Sequence, residues 1–286
     1  MEITAELVKT LRDKTNCGFM DCKKALQETG GDLEKATDYL RQKGLAVAHK
    51  RAERATSEGT VWGYVTPAAD TGVLLEVNCE SDFVAKTEAF QDFGATLAPY
   101  LAQAAPPDVT ALLILPMPGQ AGKTVGDYLT ELIGQVGENI RIPRFVRFTG
   151  QGVVAAYIHF GGRIGVLLEL DGAPASPEAL AAAKDLAMQV AATSPLAAAR
   201  EDLSPELVAK EAAIYQVQAR ESGKPEKIIE KMVAGRLEKF YKEVCLVEQP
   251  FVKNPDVTVA QYLKEVGARL GRELRVRRFA RFQVGA

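Results

Sequence analysis

The 286-residue chain is 47% hydrophobic and 25% charged, with a formal net charge of -2 and a pI near 5.9. That length and composition suffice for a sizeable core divided over two or three units, and they exclude a disordered chain. The near balance of charge argues against a general nucleic-acid binder and leaves room only for local basic patches. The four cysteines (Cys17, Cys22, Cys79, Cys245) include no C-x-x-C pair, and His49 and His159 are too scattered for a zinc site, so the thiols read as reduced and cytoplasmic. The amino terminus carries acids where a signal peptide would be basic and apolar, and no uncharged run is long enough to span a bilayer.

Residues 4–44 read as three short helices, roughly Thr4 to Lys14, Met20 to Glu28 and Asp32 to Lys43, punctuated by Gly30-Gly31 and stopped by Gly44. Leu7, Leu11, Ala25, Leu26, Leu33, Ala36 and Leu40 recur at helical spacing and can share one small core. Ala48 to Glu58 follows as a charged helix or linker. Val61 to Val65 and Gly72 to Val77 then read as strands, the second of them buried.

After that strand, Ser81 is a competent N-cap, and Phe90, Phe93, Leu97 and Leu101 form an apolar helical stripe. Asp82 and Phe83 therefore fall where a strand ends and a helix begins, a junction that presents side chains outward. Periodicity offers a second reading: in an unbroken helix Phe83, seven residues before Phe90, joins the buried stripe, and Asp82 is a first-turn acid favoured by the helix dipole. Farther on, Leu112 to Thr124 superficially resembles a strand and a phosphate-binding loop. The position that needs glycine is Met117, flanked by Pro116 and Pro118, so the segment reads as a loop capping the next helix, and no direct nucleotide binding is expected.

An internal duplication organises the rest. Gly72-Val-Leu-Leu-Glu76 recurs as Gly165-Val-Leu-Leu-Glu169, and Tyr64 maps onto Tyr157, at an offset of 93. Thr124-Val125-x-x-Tyr128-Leu129 matches Thr258-Val259-x-x-Tyr262-Leu263, and Gly137 to Phe148 matches Gly271 to Phe282, at an offset of 134. The second copy thus holds 41 more residues, which fit between Ser194 and Gln249 as an antiparallel helical hairpin. Its seam would be Ile229, Val233, Leu237, Phe240 and Val244 against Leu207, Ile214 and Val217. Each repeat reads hairpin, helix, helix, strand, an α+β arrangement.

Arg141, Arg147, Arg275, Arg277 and Arg281 share one alternating face with Phe145 and Phe279, while Arg144 and Arg278 interrupt the mostly apolar opposite face. A solvated or ion-paired sheet surface is the favoured reading, and an RNA- or ribosome-binding face the alternative. His159 falls near a turn and Cys79 beside Asp82; no nucleophile motif surrounds either, so a strand-end histidine and a buried thiol are preferred to a Cys/His enzyme.

Several blocks, taken in order, resemble one family: Cys17-Gly-Phe-Met-Asp-Cys-Lys-Lys-Ala-Leu26 with Gly31-Asp32, Leu75-Glu-Val-Asn-Cys-Glu-Ser-Asp-Phe-Val-Ala-Lys86, Val136-Gly-Glu-Asn-Ile140, Gly162-Arg-Ile-Gly-Val166, Ser222-Gly-Lys-Pro225 and Gln249-Pro-Phe-Val252. The chain resembles bacterial elongation factor Ts, the guanine-nucleotide exchange factor of elongation factor Tu, over nearly its whole length. The resemblance implies a ubiquitin-associated-type three-helix bundle with its linker over residues 1–54, and core subdomains over 55–149 and over 150–195 with 246–286. It also implies a coiled-coil or dimerisation hairpin over 196–245. It further implies a cytoplasmic, non-enzymatic translation factor without a cofactor that binds elongation factor Tu, GDP-bound or nucleotide-free, with a homodimer or 2:2 complex possible through the hairpin. By matching motif, Ser81, Asp82, Phe83 and Val84 inherit a segment inserted near the partner's magnesium site. Phe19 and Met20 match a contact of the bundle, Val136, Gly137 and Asn139 a second contact loop, and His159 a histidine supporting the interface. Ser81 stands where threonine is more usual, an exchange both capping residues tolerate. The carboxy-terminal helical module of some members, and any contact it makes, is not expected here.

Overall fold

The computed structural model describes residues 3–15 and 17–286; the side chains of residues 45–50, His49 among them, lie outside it, as do Met1, Glu2 and Asn16. The first three helices are α1 (Ala5–Thr15), α2 (Phe19–Glu28) and α3 (Leu33–Arg51). Val8, Leu11, Cys22, Ala25, Leu26, Ala36 and Leu40 meet in a core of their own, with Leu7 and Leu33 at its margin. Gly30 and Gly31 turn the chain at φ 64° and 85°, and Asp32 Oδ1 then accepts from the amides of Glu34 and Lys35 to cap α3.

The first repeat runs β1 (Glu58–Val65), β2 (Thr71–Cys79), α4 (Asp82–Ala85), α5 (Glu88–Ala104), α6 (Val109–Leu113), α7 (Val125–Val136) and β3 (Ile140–Thr149). The second runs β4 (Val153–His159), β5 (Ile164–Asp171), α8 (Pro177–Thr193), α9 (Pro205–Arg220), α10 (Glu226–Val244), β6 (Pro250–Phe251), β7 (Asn254–Thr258), α11 (Val259–Leu270) and β8 (Arg275–Gln283). The protein is thus mixed α+β, with antiparallel sheets ordered β1-β2-β3 and β4-β5-β8 and a small β6-β7 pair. The duplication holds down to register: Gly72, Leu74, Leu75 and Glu76 face Phe148, Val146, Phe145 and Arg144, just as Gly165, Leu167, Leu168 and Glu169 face Phe282, Ala280, Phe279 and Arg278. Among the described residues no helix is long and apolar enough to cross a membrane.

Alternation along the central strands decides the layering. Val73, Leu75, Val77 and Cys79 of β2 pack under Phe90, Phe93, Leu97 and Leu101 of α5 and Leu132 of α7. Val166, Leu168 and Leu170 of β5 pack equivalently under Ala183, Leu186 and Val190 of α8 and Val259 and Leu263 of α11. The opposite faces meet each other through Val61, Leu74, Phe148, Val154, Leu167, Phe282 and Val284. Gly72 leaves the room this needs, since a Cβ there would lie 2.6 Å from Val154 Cγ1 and 2.8 Å from Leu167 Cδ1; Gly165 stands equivalently against Val61 and Leu74.

Two carboxylates are buried between the sheets. Arg144 Nε donates to Glu76 Oε2 at 2.7 Å while its guanidinium lies 4.4 Å from the centre of the Phe282 ring of the other sheet. Arg278 Nε donates to Glu169 Oε2 at 2.7 Å and stacks 4.3 Å from the Phe148 ring. Each guanidinium also donates across the boundary, to Gln283 O and to Thr149 O respectively. The arginines that interrupt the apolar face are therefore its fasteners.

Two expectations fail. Helix α3 does not stop at Gly44, which is absent from the left-handed glycines and instead touches α7: a Cβ on Gly134 would lie 2.8 Å from Gly44 Cα. The glycine serves close helix approach, and the expected charged segment divides into the end of α3 and a linker to β1. The hairpin seam also departs from expectation along part of α9. Ile229 and Phe240 of α10 are buried and Val244 and Leu207 pack against the same core as expected, but on α9 Val208, Tyr215 and Ala219 also turn inward while Ile214 and Val217 are exposed. Arg236 of α10 lies 5.9 Å from the centre of the Tyr215 ring and donates to Gln218. For the fold as a whole, Arg278→Ala is expected to cost about 3 kcal/mol in urea unfolding, because it leaves the Glu169 carboxylate buried without its main partner.

Candidate functional site

The segment after β2 is built from caps. Ser81 Oγ accepts from the Val84 amide at 3.4 Å, opening the single turn α4, and the Lys86 amide closes it on Phe83 O. Thr87 then leaves helical geometry (φ -69°, ψ 147°) and its hydroxyl donates to Val84 O at 2.8 Å, so α5 starts afresh at Glu88. This break overturns the periodic reading of Phe83 as core. With the register between Phe83 and Phe90 interrupted, Val84 and Ala85 point inward and Phe83 is 79% exposed. Asp82 beside it is held by Lys86, Nζ to Oδ2 2.6 Å, which is the main reason its carboxyl titrates below the usual aspartate range. Gln91 ties the turn to the sheet, donating to Ala85 O and to Thr60 Oγ1 of β1.

The loop after α7 grips the segment from the other side. Gly137 ends that helix at φ 75°. Glu138 then accepts both from the Ser81 amide (2.9 Å) and from the Ser81 hydroxyl (2.6 Å). In return Glu80 Oε1 accepts from the Asn139 amide at 2.7 Å, and that bond, aided by Arg54, lowers the Glu80 pKa. Each loop's carboxylate thus satisfies the other's backbone. Asn139 is buried, its side-chain amide donating to Arg54 O at 2.8 Å, and Val136 is half-buried. Sequence reading named Val136, Gly137 and Asn139 but passed over Glu80 and Glu138; a carboxylate at each end of two loops that meet only in three dimensions leaves no local signal.

The other candidates lie on other elements. Phe19 and Met20 are exposed at the start of α2. His159 is half-buried at the end of β4, its Nδ1 paired with Tyr157 Oη at 2.8 Å and its ring edge-on to Phe160 at 4.3 Å. Cys79 donates to Ser81 O, and burial, with help from the Glu138 charge, pushes its thiol up to about 12. It is therefore protonated at neutral pH, and its hydrogen bond goes to a backbone carbonyl. Three of the five outward arginines make contacts within the fold: Arg147 donates to Ala102 O, Arg277 pairs with Asp171, and Arg141 donates to Ala52 O.

Fold and site together define a duplicated α+β protein whose surface carries an exposed phenylalanine and a lysine-held aspartate on one clamped helical turn. Residues 80–286 match the family model described as elongation factor TS. The whole chain is 47% identical to elongation factor Ts of Trichlorobacter lovleyi and of Syntrophotalea carbinolica, covering 93% and 94% of those proteins. Over 99% of its length it is 46% identical to that of Clostridium botulinum, covering 93% of it. The chain belongs to the elongation factor Ts family.

Two measurements test the geometry. Glu138→Ala is expected to destabilise the protein by about 1–3 kcal/mol and to raise amide hydrogen exchange selectively across residues 80–86, since the Ser81 amide and hydroxyl lose their acceptor. At pH 8 a thiol reagent is expected to label half-buried Cys17 well before Cys79, whose thiolate forms only near pH 12.

Proposed function

We propose that this chain is a guanine-nucleotide exchange factor for elongation factor Tu, acting in translation in the cytoplasm without catalysing a chemical step of its own. The observation that carries the reading is the Asp82–Phe83 pair: an aromatic 79% exposed to water beside an ionised carboxylate, on a turn fixed by caps at both ends. Exposing a large aromatic gives the fold nothing, and a rigid mount lowers the ordering cost of inserting it into a partner. Phe83 wedges between side chains of the partner's G domain and shifts the elements that hold magnesium, while Asp82 disturbs the magnesium's ligand network; Ser81 and Val84 hold the turn. Without magnesium the GDP phosphates are left poorly neutralised and the nucleotide leaves, so that GTP can bind. By linkage, bound nucleotide weakens the partner's hold on this chain by the same factor, which makes the cycle reversible.

In this reading residues 1–54 form the ubiquitin-associated-type bundle with its linker, docking through Phe19 and Met20; the separate small core there and the exposure of both side chains support it. Residues 55–149, and 150–195 with 246–286, act as two core subdomains. Val136, Gly137 and Asn139 brace the contact loop, and His159 supports the interface from the second subdomain. Residues 196–245 serve as the coiled-coil insertion, available for a homodimer or a 2:2 complex. Three of the five outward arginines are tied to the fold, which does not favour the RNA-binding alternative.

Stopped-flow release of a fluorescent GDP analogue from elongation factor Tu tests the proposal. The natural chain is expected to accelerate release, and folded Phe83→Ala to lose about 30-fold of that acceleration, the size of an interface hot spot; Asp82→Ala loses less. Unchanged release with the natural chain would falsify the assignment.

A further inference from the structure

The hairpin turn between β4 and β5 contains a backbone feature that the fold itself does not require. Phe160, Gly161 and Gly162 follow one another in left-handed space, at φ 51°, 59° and 96°. For Gly162 the reason is contact, because a Cβ there would run into Thr60 of β1. For Phe160 there is no such reason. A turn of this shape is served by glycine or asparagine, and a bulky L-residue with positive φ is strained. Of the other three described non-glycine residues in this region, Ala105 and Ser194 close helices and Ala69 lies in the β1–β2 turn, and two of the three are alanine. Phe160 alone is large, and it is 75% exposed, so its ring does not offset the strain by packing into the core.

The ring is nevertheless supported. His159 stands edge-on to it at 4.3 Å and is itself held by the Tyr157 hydroxyl at 2.8 Å. The turn also lies beside the Asp82–Phe83 segment. Thr60 touches Gly162 on one side and, through its hydroxyl, Gln91 on the other, and Gln91 also holds the last turn of α4. Arg163, next in the turn, pairs with Glu58 at the start of β1. Two exposed phenylalanines, one from each repeat, therefore flank the same stretch of β1.

We propose that Phe160 is a further apolar contact for the protein partner that Phe83 engages, contributing to affinity rather than to displacement of the nucleotide. The inference rests on the exchange-factor reading above. It divides the labour: Phe83, beside the carboxylate, acts on the bound nucleotide and limits the maximal rate of release, while Phe160, on the second repeat, anchors the complex and limits the concentration at which that rate is reached.

The test is GDP release measured over a range of factor concentrations, with thermal unfolding of every variant. In Phe160→Gly and Phe160→Asn the half-saturating concentration is expected to rise about 10-fold while the maximal rate stays within about 2-fold. Their melting temperatures stay level or rise by about 1–4 °C as the strain is relieved. Phe160→Leu, which keeps an apolar side chain, recovers most of the affinity. A half-saturating concentration unchanged in both Gly and Asn variants, with Phe83→Ala impaired, would overturn the role of Phe160 and leave the exchange reading standing. Lowered melting temperatures in both would overturn it too, by making the residue structural. If the natural chain releases no nucleotide at all, the exchange reading fails and this inference with it.

Discussion

The two halves of the molecule are joined by a crossed pair of charges. Glu76 and Glu169 are carried into the space between the sheets by strict alternation along β2 and β5, and neither could stay there ionised alone. Each is answered by an arginine of its own sheet, and each arginine lies flat on a phenylalanine of the other, so electrostatics and apolar packing close the same interface. Because register is fixed by these contacts, the relative placement of everything hung on the sheets is fixed with it. The β4–β5 turn comes to rest against Thr60 of β1, and Thr60 is also the anchor for Gln91 and hence for the turn that bears Phe83.

A contact surface assembled this way needs little reorganisation. Asp82 is held by Lys86, and Ser81 is occupied on both its amide and its hydroxyl by Glu138. Glu80 answers from below, and Asn139 extends the same network to the linker that follows α3. The polar groups of a chain reversal close to the surface are thus satisfied inside the protein, leaving one aromatic ring and one carboxylate edge facing out.

Much of this was legible in the residues. The two offsets of 93 and 134 placed both copies and the insertion, and the copied pentapeptides proved to be copied registers as well. Periodicity found the cores because burial obeys it. It failed at Phe83, where the chain leaves helical geometry at Thr87, whose hydroxyl donates back to Val84 O, and the helix restarts at Glu88, and at Ile214 and Val217, where Tyr215 and Ala219 of α9 turn toward the hairpin instead. Gly44 reads as a stop in isolation; only the approach of Gly134, 90 residues away, makes it a contact. Glu138 and Phe160 were silent for related reasons, since a long-range acceptor and a positive φ leave no mark on sequence spacing.

The pairing of β5 with β8 has a consequence for how the chain is made. Gly165 must find Phe282, and Glu169 must find Arg278, across a separation of more than a hundred residues that includes the whole α9–α10 pair. The first sheet has no comparable wait for its last strand, since β2 and β3 are separated by far less chain. As the polypeptide leaves the ribosome, the first repeat can complete its sheet, but the free edge of β5 and its acidic side chain stay unanswered until β8 arrives. Synthesis of the chain thus passes through an interval in which an open, apolar strand waits for β8, and the ordering of the two repeats decides which half bears that exposure.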